Sequence, residues 1–417
     1  MSCSGSLTSD LKHCVRHMAE GVRHQLRSRS RSHWLVVGVL LFGGMFAGHE
    51  LGQSDLWIDL RYSLYQSFLQ GISFREPYPK RVVLVLIDDQ DFWNGKFEHR
   101  TPLKRDVLAE LLLKIDAANP EVIALDVDLR SHAGPGGQPG DSHYEGETQK
   151  LLAAVNSVSK RRTVVLTKSI RYADATHREY VAEPSVYDNY PFEGAGVKPG
   201  YVTLPDDIRR VTLDLKMQGG AHLDSFASAI ARAVDARSLE EMQEREEDAL
   251  PYGTFIAPEK FVQYPAREVL GANPDLPADV EKLRKMLGFK IVIVGGAWHQ
   301  YGFKRGPMRD GHASPVGRIH GAFIHANYAE ALLDSRTYRP MREGVAVGIE
   351  FVFSAVLALV FSLHIRLALK FAAALFLGTF LVGVSYVSWQ NLGLFFDFFV
   401  PVVLLLGHAV IDKMRGD

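Results

Sequence analysis

Four apolar runs interrupt an otherwise mixed chain. One covers residues 34–51, and three crowd the other end at residues 345–363, 367–389 and 394–411. Each approaches the roughly 20 apolar residues that cross a bilayer as a helix. Residues 53–342 lie between the first run and the second and have the texture of a folded domain. Within them the pattern alternates. Residues 81–87 (RVVLVLI) form a Val-rich run with no polar interruption, which predicts a strand buried on both faces. Residues 101–118 place Leu103, Val107, Leu108, Leu111, Leu112 and Ile115 on one helical stripe. Residues 121–125 (EVIAL) read as strand, 147–159 as helix and 163–167 as strand. Residues 201–204 and 210–215, joined through Pro205-Asp206-Asp207, predict a hairpin. Helix is then expected at 223–234, strand at 260–264, helix at 279–287, strand at 290–294 and helix at 319–333.

Strands alternating with helices predict an α/β fold, a mostly parallel layered sheet with an added antiparallel hairpin. No Gly/Ser/Pro-rich linker divides the region, so one domain is expected. Residues 131–146 (SHAGPGGQPGDSHYEG) predict a mobile loop. That loop follows the carboxyl end of a strand, where open α/β sheets place ligands. Residues 56–71 are amphipathic and predict a helix leading from the first run into the domain.

Basic residues orient the apolar runs. Lys12, Arg16, Arg23, Arg27, Arg29 and Arg31 precede the first, opposed only by Asp10 and Glu20. Residues 364–366 (HIR) with Lys370 separate the second from the third, and Lys413 and Arg415 follow the fourth. Residues 390–393 (QNLG) carry no basic residue. The positive-inside rule then puts both termini in the cytoplasm. The expected division is a basic arm at 1–33, a transmembrane helix at 34–52, an extracytoplasmic domain at 53–342, three transmembrane helices at 343–411 and a tail at 412–417. The expected location is the inner membrane. A cleaved signal peptide is the alternative for the first run, but Ala47-Gly48-His49 makes a poor cleavage site.

In the arm, Leu11, Val15, Met18, Val22 and Leu26 recur at helical spacing among basic residues. A contact with anionic lipid or a cytoplasmic partner, and a plain topology signal, both stay open. Cys3 and Cys14 are the two cysteines, and both lie in the arm, so the outer domain must fold without disulfides. The net charge of -1 gives no sign of nucleic-acid binding.

The strands end in carboxylates. Asp88 and Asp89 follow one, with Asp91 beyond, and Asp126 and Asp128 follow another. Neighbouring strands would gather these acids on one edge, where oxygen-rich sites bind magnesium or calcium. Capping of the following helices and turns is the alternative. The spelling IALDVD resembles the opening of haloacid-dehalogenase-type phosphatases, in which the first Asp is the nucleophile and the second the general acid/base. Arg130 stands where that family has a small hydroxyl residue, and its later lysine and paired aspartates are not evident. Four histidines, His299, His312, His320 and His325, share one region. His320 and His325 fall on one expected helix, about 140° apart, a poor geometry for one zinc ion. Gly295-Gly296 follows a strand without a GxGxxG pattern, and no cofactor is expected. Glu350 and Asp397 are acids within apolar runs, which makes them candidates for transport.

Several of these features occur together in one family. Residues 82–87 with Asp88-Asp89, then Trp93, Thr101-Pro102-Leu103-Lys104-Arg105, Leu108 and residues 111–113 resemble the opening of the type-two CHASE domain. That is the extracellular sensory domain found with cyclases and histidine kinases. Asp126 and Asp128 are similar to its second strand end, without the usual aromatic. Tyr201-Val202, Pro205-Asp206-Asp207 and Arg209-Arg210 are similar to its acidic hairpin, without the usual glycine. Residues 290–295, Ser314-Pro315 and residues 321–327 (GAFIHAN) with Leu332-Leu333 resemble its closing signature most closely. Pro265 departs from the small turn usual after the tyrosine.

The resemblance covers about residues 56–340 and implies a sensor or ligand-binding role. The candidate ligand-binding set is Asp88, Asp89, Arg105, Asp126, Asp128 and His325. Family members usually carry an output module after the last span, so signalling through a separate effector polypeptide is expected. The other expected partners are the bilayer and a second copy of the chain. The alternatives are an extracytoplasmic metal-dependent phosphatase-like hydrolase and a component of a membrane transport complex.

Overall fold

The computed structural model describes residues 79–131, 144–173, 179–236, 251–334 and 336–340, Leu239, and scattered positions within 54–66 and 344–395. The chain divides into two compact units, Gln66–Tyr338, and Met1–Tyr65 together with Arg339–Asp417.

The first unit carries the alternating pattern. In chain order its elements are β1 (Val82–Asp88), α1 (Arg105–Ala117), β2 (Val122–Asp126), α2 (Glu145–Ser159), β3 (Thr163–Lys168), β4 (Ile170–Tyr172), β5 (Tyr180–Ala182), β6 (Val197–Tyr201), β7 (Asp214–Lys216), β8 (His222–Asp224), α3 (Phe226–Val234) and β9 (Tyr252–Gly253). Then follow β10 (Gln263–Pro265), α4 (Ala266–Gly271), α5 (Pro277–Leu287), β11 (Ile291–Ala297), β12 (Gly311–Ser314), β13 (Gly317–His320), α6 (Gly321–Leu333) and the first half of β14 (Thr337–Pro340).

Six strands form one parallel sheet in the order β10-β1-β11-β2-β3-β6. The central strands are buried along nearly their whole length, as their uninterrupted apolar runs require. Alternate side chains serve two cores. Val83, Val85, Ile87, Ile123, Leu125, Val292 and Val294 join one cluster with apolar residues of α1, α2, α4 and α5. Helices α3 and α6 pack against the sheet and each other on the opposite face. Helix α3 is capped by Ser225, whose Oγ accepts from the Ser228 N–H at 3.1 Å.

The expected hairpin at 201–215 is not formed. Residues 197–201 instead extend the parallel sheet as β6. The antiparallel pair is β7–β8, turning at Gly219 and Gly220, whose φ angles of 91° and 85° suit glycine. Asp207 is drawn into ion pairs with Arg209 and Arg210, and Val211 donates its N–H to the Pro251 carbonyl. Short antiparallel pairs β4–β5 and β12–β13 complete the unit, and Thr337 and Tyr338 of β14 pair antiparallel with β9. The expected helix at 319–333 begins at Gly321, because Ile319 and His320 belong to β13.

In the other unit, described positions between 344 and 388 are helical, and Leu394–Phe395, at the head of the fourth apolar run, are extended. Among the described residues no helix is long and apolar enough to cross a membrane. The run at 34–51 and most of the other three lie outside the described residues, as do residues 132–143 of the expected loop.

Candidate functional site

The chain leaves β1 for α1 on one face of the sheet. It leaves the adjacent strand β11 for α6 on the other. Connections that part in this way open a crevice beyond the strands' carboxyl ends. The acids predicted at strand ends therefore flank a topological switch point.

At the end of β1 the chain makes a π-helical turn, Gln90–Asn94. Asp88 accepts from the Asp91 N–H at 3.0 Å, and both carboxylates face Arg267 Nη1, at 2.7 and 3.4 Å. Asp91 is buried, and burial together with the Asp88 charge pushes it up to about 6 against the pull of Arg267. Asp89 points elsewhere. It accepts from the backbone N–H groups of His299 (2.7 Å) and Lys304 (2.9 Å) and meets His299 Nδ1 at 2.9 Å. Burial raises its pKa, but these contacts more than offset it, and Asp89 is held below the usual carboxylate range. Asp89 thus ties the loop after β11 to the end of β1. Trp93 adds a second tie through Nε1 to the His299 carbonyl at 3.1 Å. Gly302 lies against the Trp93 ring at φ 72°, with no room for a side chain.

A second group lies between the end of β2 and the start of α6. Asp126 is half-buried beside Gly295. Burial, with a smaller contribution from Asp310, pushes it up to about 7, opposed by His312. Asp310 pairs with His312 at 2.8 Å and is held below its ordinary value by that bond. His320 and His325 are buried, and burial pushes both down to about 4. The His325 ring packs edge-on against Phe226 at 5.3 Å. The His320 ring stands 5.8 Å from that of His299, and its Nδ1 is buried without a hydrogen-bond partner. A buried polar atom without a partner is uncommon in a folded chain.

Four predicted residues, Asp88, Asp89, Asp126 and His325, do reach this edge, although β11 separates β1 from β2. Asp128 and Arg105 are engaged elsewhere. Asp128 forms a local pair with Arg130 at 2.7 Å. Arg105 is 1 % exposed and donates to Thr148 Oγ1 at 2.7 Å and to the Arg130 carbonyl, joining α1 to α2. Residues Asp126 and Asp128 are poorly placed for the phosphatase pair. The second carboxylate of that pair is the general acid/base, and Asp128 is held by Arg130 instead. Asp310 is a member of the site that the sequence reading missed. Its signal was its place just before the Gly311-His312 step, where the chain enters the β12–β13 hairpin that leads to α6. His320 and His325 do not share a helix, so their expected helical angle does not apply. Among the described residues no group of three or more His, Cys, Asp or Glu is arranged to hold a metal ion. Glu350 and Asp397 lie outside the described residues.

The GAFIHAN segment also carries framework residues. Asn327 accepts from the Ile256 N–H at 2.6 Å and donates to the Ile256 and Phe323 carbonyls. Glu330 is fully buried and accepts from the N–H groups of Arg81 and Val82, which fixes the start of β1.

No curated protein and no solved structure matches the chain. Comparison with known families matches the CHASE2 domain over residues 33–363, most of the chain. The chain belongs to the CHASE2 domain family, a family of extracellular sensory domains.

Proposed function

We propose that the chain is an extracytoplasmic sensor whose ligand enters the crevice between the ends of β1, β11 and β2. Residues 53–342 form the sensing domain, and the apolar runs at 34–52 and 343–411 cross the inner membrane. A change at the crevice passes through those helices to a separate signalling polypeptide. The carrying observation is His320. Its buried Nδ1 has no partner, and the groups around its ring include His299, Asp310, Asp89 and His312. Unfilled hydrogen-bonding capacity at a switch point is what a polar ligand would satisfy. The family and the basic residues flanking the apolar runs support the same reading.

Affinity purification from gently solubilised membranes tests it. A stoichiometric partner should be recovered, and His320→Phe, which removes the buried nitrogen, should change the amount recovered. Repeated recovery of the chain alone, with no effect of His320→Phe on any membrane signalling output, overturns the reading.

A further inference from the structure

A cavity lies at the carboxyl end of β3 and beside β6, and none of its lining residues belongs to the crevice. Its volume is about 360 Å³. Two hairpins wall it, β4–β5 and β7–β8, and they are tied together by the Gln218 N–H donating to the Tyr180 carbonyl at 2.8 Å. The walls are mostly apolar, with Val181, Pro199, Met217 and Leu223 beside the rings of Tyr180 and Tyr187. At the inner end stands Lys168, the last residue of β3. It is 8 % exposed, and its ammonium donates to Asp188 Oδ1 at 2.5 Å and Ser185 Oγ at 3.1 Å. Tyr187 is fixed in turn by its hydroxyl, which donates to the Thr167 carbonyl at 2.9 Å.

Small-molecule sites have this composition, an apolar wall with a few fixed polar groups, and begin at about this size. We propose that this cavity binds a small, uncharged, ring-bearing molecule whose single hydrogen-bond acceptor faces Lys168. The charge class follows from the balance already present. Asp188 neutralises Lys168, so an anion would meet the Asp188 carboxylate and a cation the ammonium, each losing water against apolar walls. The tyrosine rings offer edges and faces to a flat partner. The Lys168 ammonium gives two of its three donors to Asp188 and Ser185 and stands 5.4 Å from the centroid of the Tyr187 ring, and the third donor is the one offered to the ligand's acceptor. The site stands independently of the crevice.

Photolabelling of the full solubilised chain with a diazirine-bearing indole tests the proposal, with peptide mapping of the label. Label should fall on residues 180–188 and 217–223. Unlabelled indole should displace it, whereas benzoate and benzylamine should not. Ala221→Trp puts a large ring on an exposed lining position and should weaken labelling about tenfold, or 1.4 kcal/mol. Leu223→Trp, on the same hairpin, provides a second variant if the first misfolds. Label that does not saturate, that maps elsewhere, that benzoate or benzylamine displaces as well as indole, or that survives both substitutions, overturns the proposal.

Discussion

Single residues at the crevice carry opposed proton affinities. Asp126 is pushed up to about 7 and Asp91 to about 6, while His320 and His325 are pushed down to about 4. A carboxyl group raised above its unfolded value of about 3.9 contributes stability below that value and loses it as pH rises through the folded pKa. A histidine lowered from about 6.5 does the reverse, losing stability as pH falls from there towards 4. Between about pH 4 and 6 the two acids and two histidines therefore nearly cancel, at about 1.4 kcal/mol per pH unit each. Asp126→Asn removes one acid from this balance. Urea unfolding of the variant should show stability rising with pH across that window, while the parent protein stays flatter. The variant should also exceed the parent at pH 8 by about 2–4 kcal/mol. Equal pH profiles for the two proteins would show that Asp126 titrates normally. The sequence placed Asp126 at a strand end, since an apolar run and the residue after it are adjacent in the chain. Its proton affinity was not legible, because that depends on Asp310 and on burial beneath distant segments.

Among the elements, the contact of β11 with α6 sets the floor of the crevice. A Cβ on Gly295 would come 2.5 Å from the Ala322 Cβ, so the strand and helix approach more closely than any side chain allows. Gly295→Ala should cost about 1–3 kcal/mol through overpacking. Gly271→Ala is the control. A Cβ at Gly271 meets nothing within 4 Å, and its position at the end of α4 should make alanine neutral or slightly stabilising. Thermal melts of the two variants compare them directly, and equal shifts would refute the close-approach argument. The strands and helices of the sheet were legible because both periodicities are local. Pro205-Asp206-Asp207 does turn the chain, with the Arg210 N–H donating to the Asp207 carbonyl at 2.9 Å, but the segments on either side do not pair with each other, because residues 197–201 pair with β3. The hairpin turn lies at Gly219-Gly220, where two positive φ angles are needed. The apolar neighbours of His320 fit either period, and only its pairing with Gly311 makes it strand.

At the scale of the whole molecule the proposed topology, with residues 53–342 outside and both termini inside, is open to a labelling test. Cys3 and Cys14 lie in the basic arm, on the expected cytoplasmic side. In intact cells an impermeant maleimide should leave both unlabelled, with labelling appearing once the membrane is opened. A cysteine introduced at exposed Tyr301 (67 % exposed) should label in intact cells. Labelling of the native pair without permeabilisation would reverse the orientation. At this scale the sequence also supplied the family resemblance, which the CHASE2 match over residues 33–363 bears out.

Local information in the sequence determined which segments are strands buried on both faces, which helices carry an apolar stripe, and that carboxylates terminate the strands. These follow from side-chain period and from neighbours along the chain. Tertiary structure decided that β11 inserts between β1 and β2 and that its chain departs to the opposite face. That insertion brings Asp310 and His312 beside Asp126. It likewise left Asp128 and Arg105 bound to framework partners and placed Lys168 under two hairpins. Such placements depend on which distant segments pair, and pairing is settled by the burial of the whole sheet rather than by any one stretch of it.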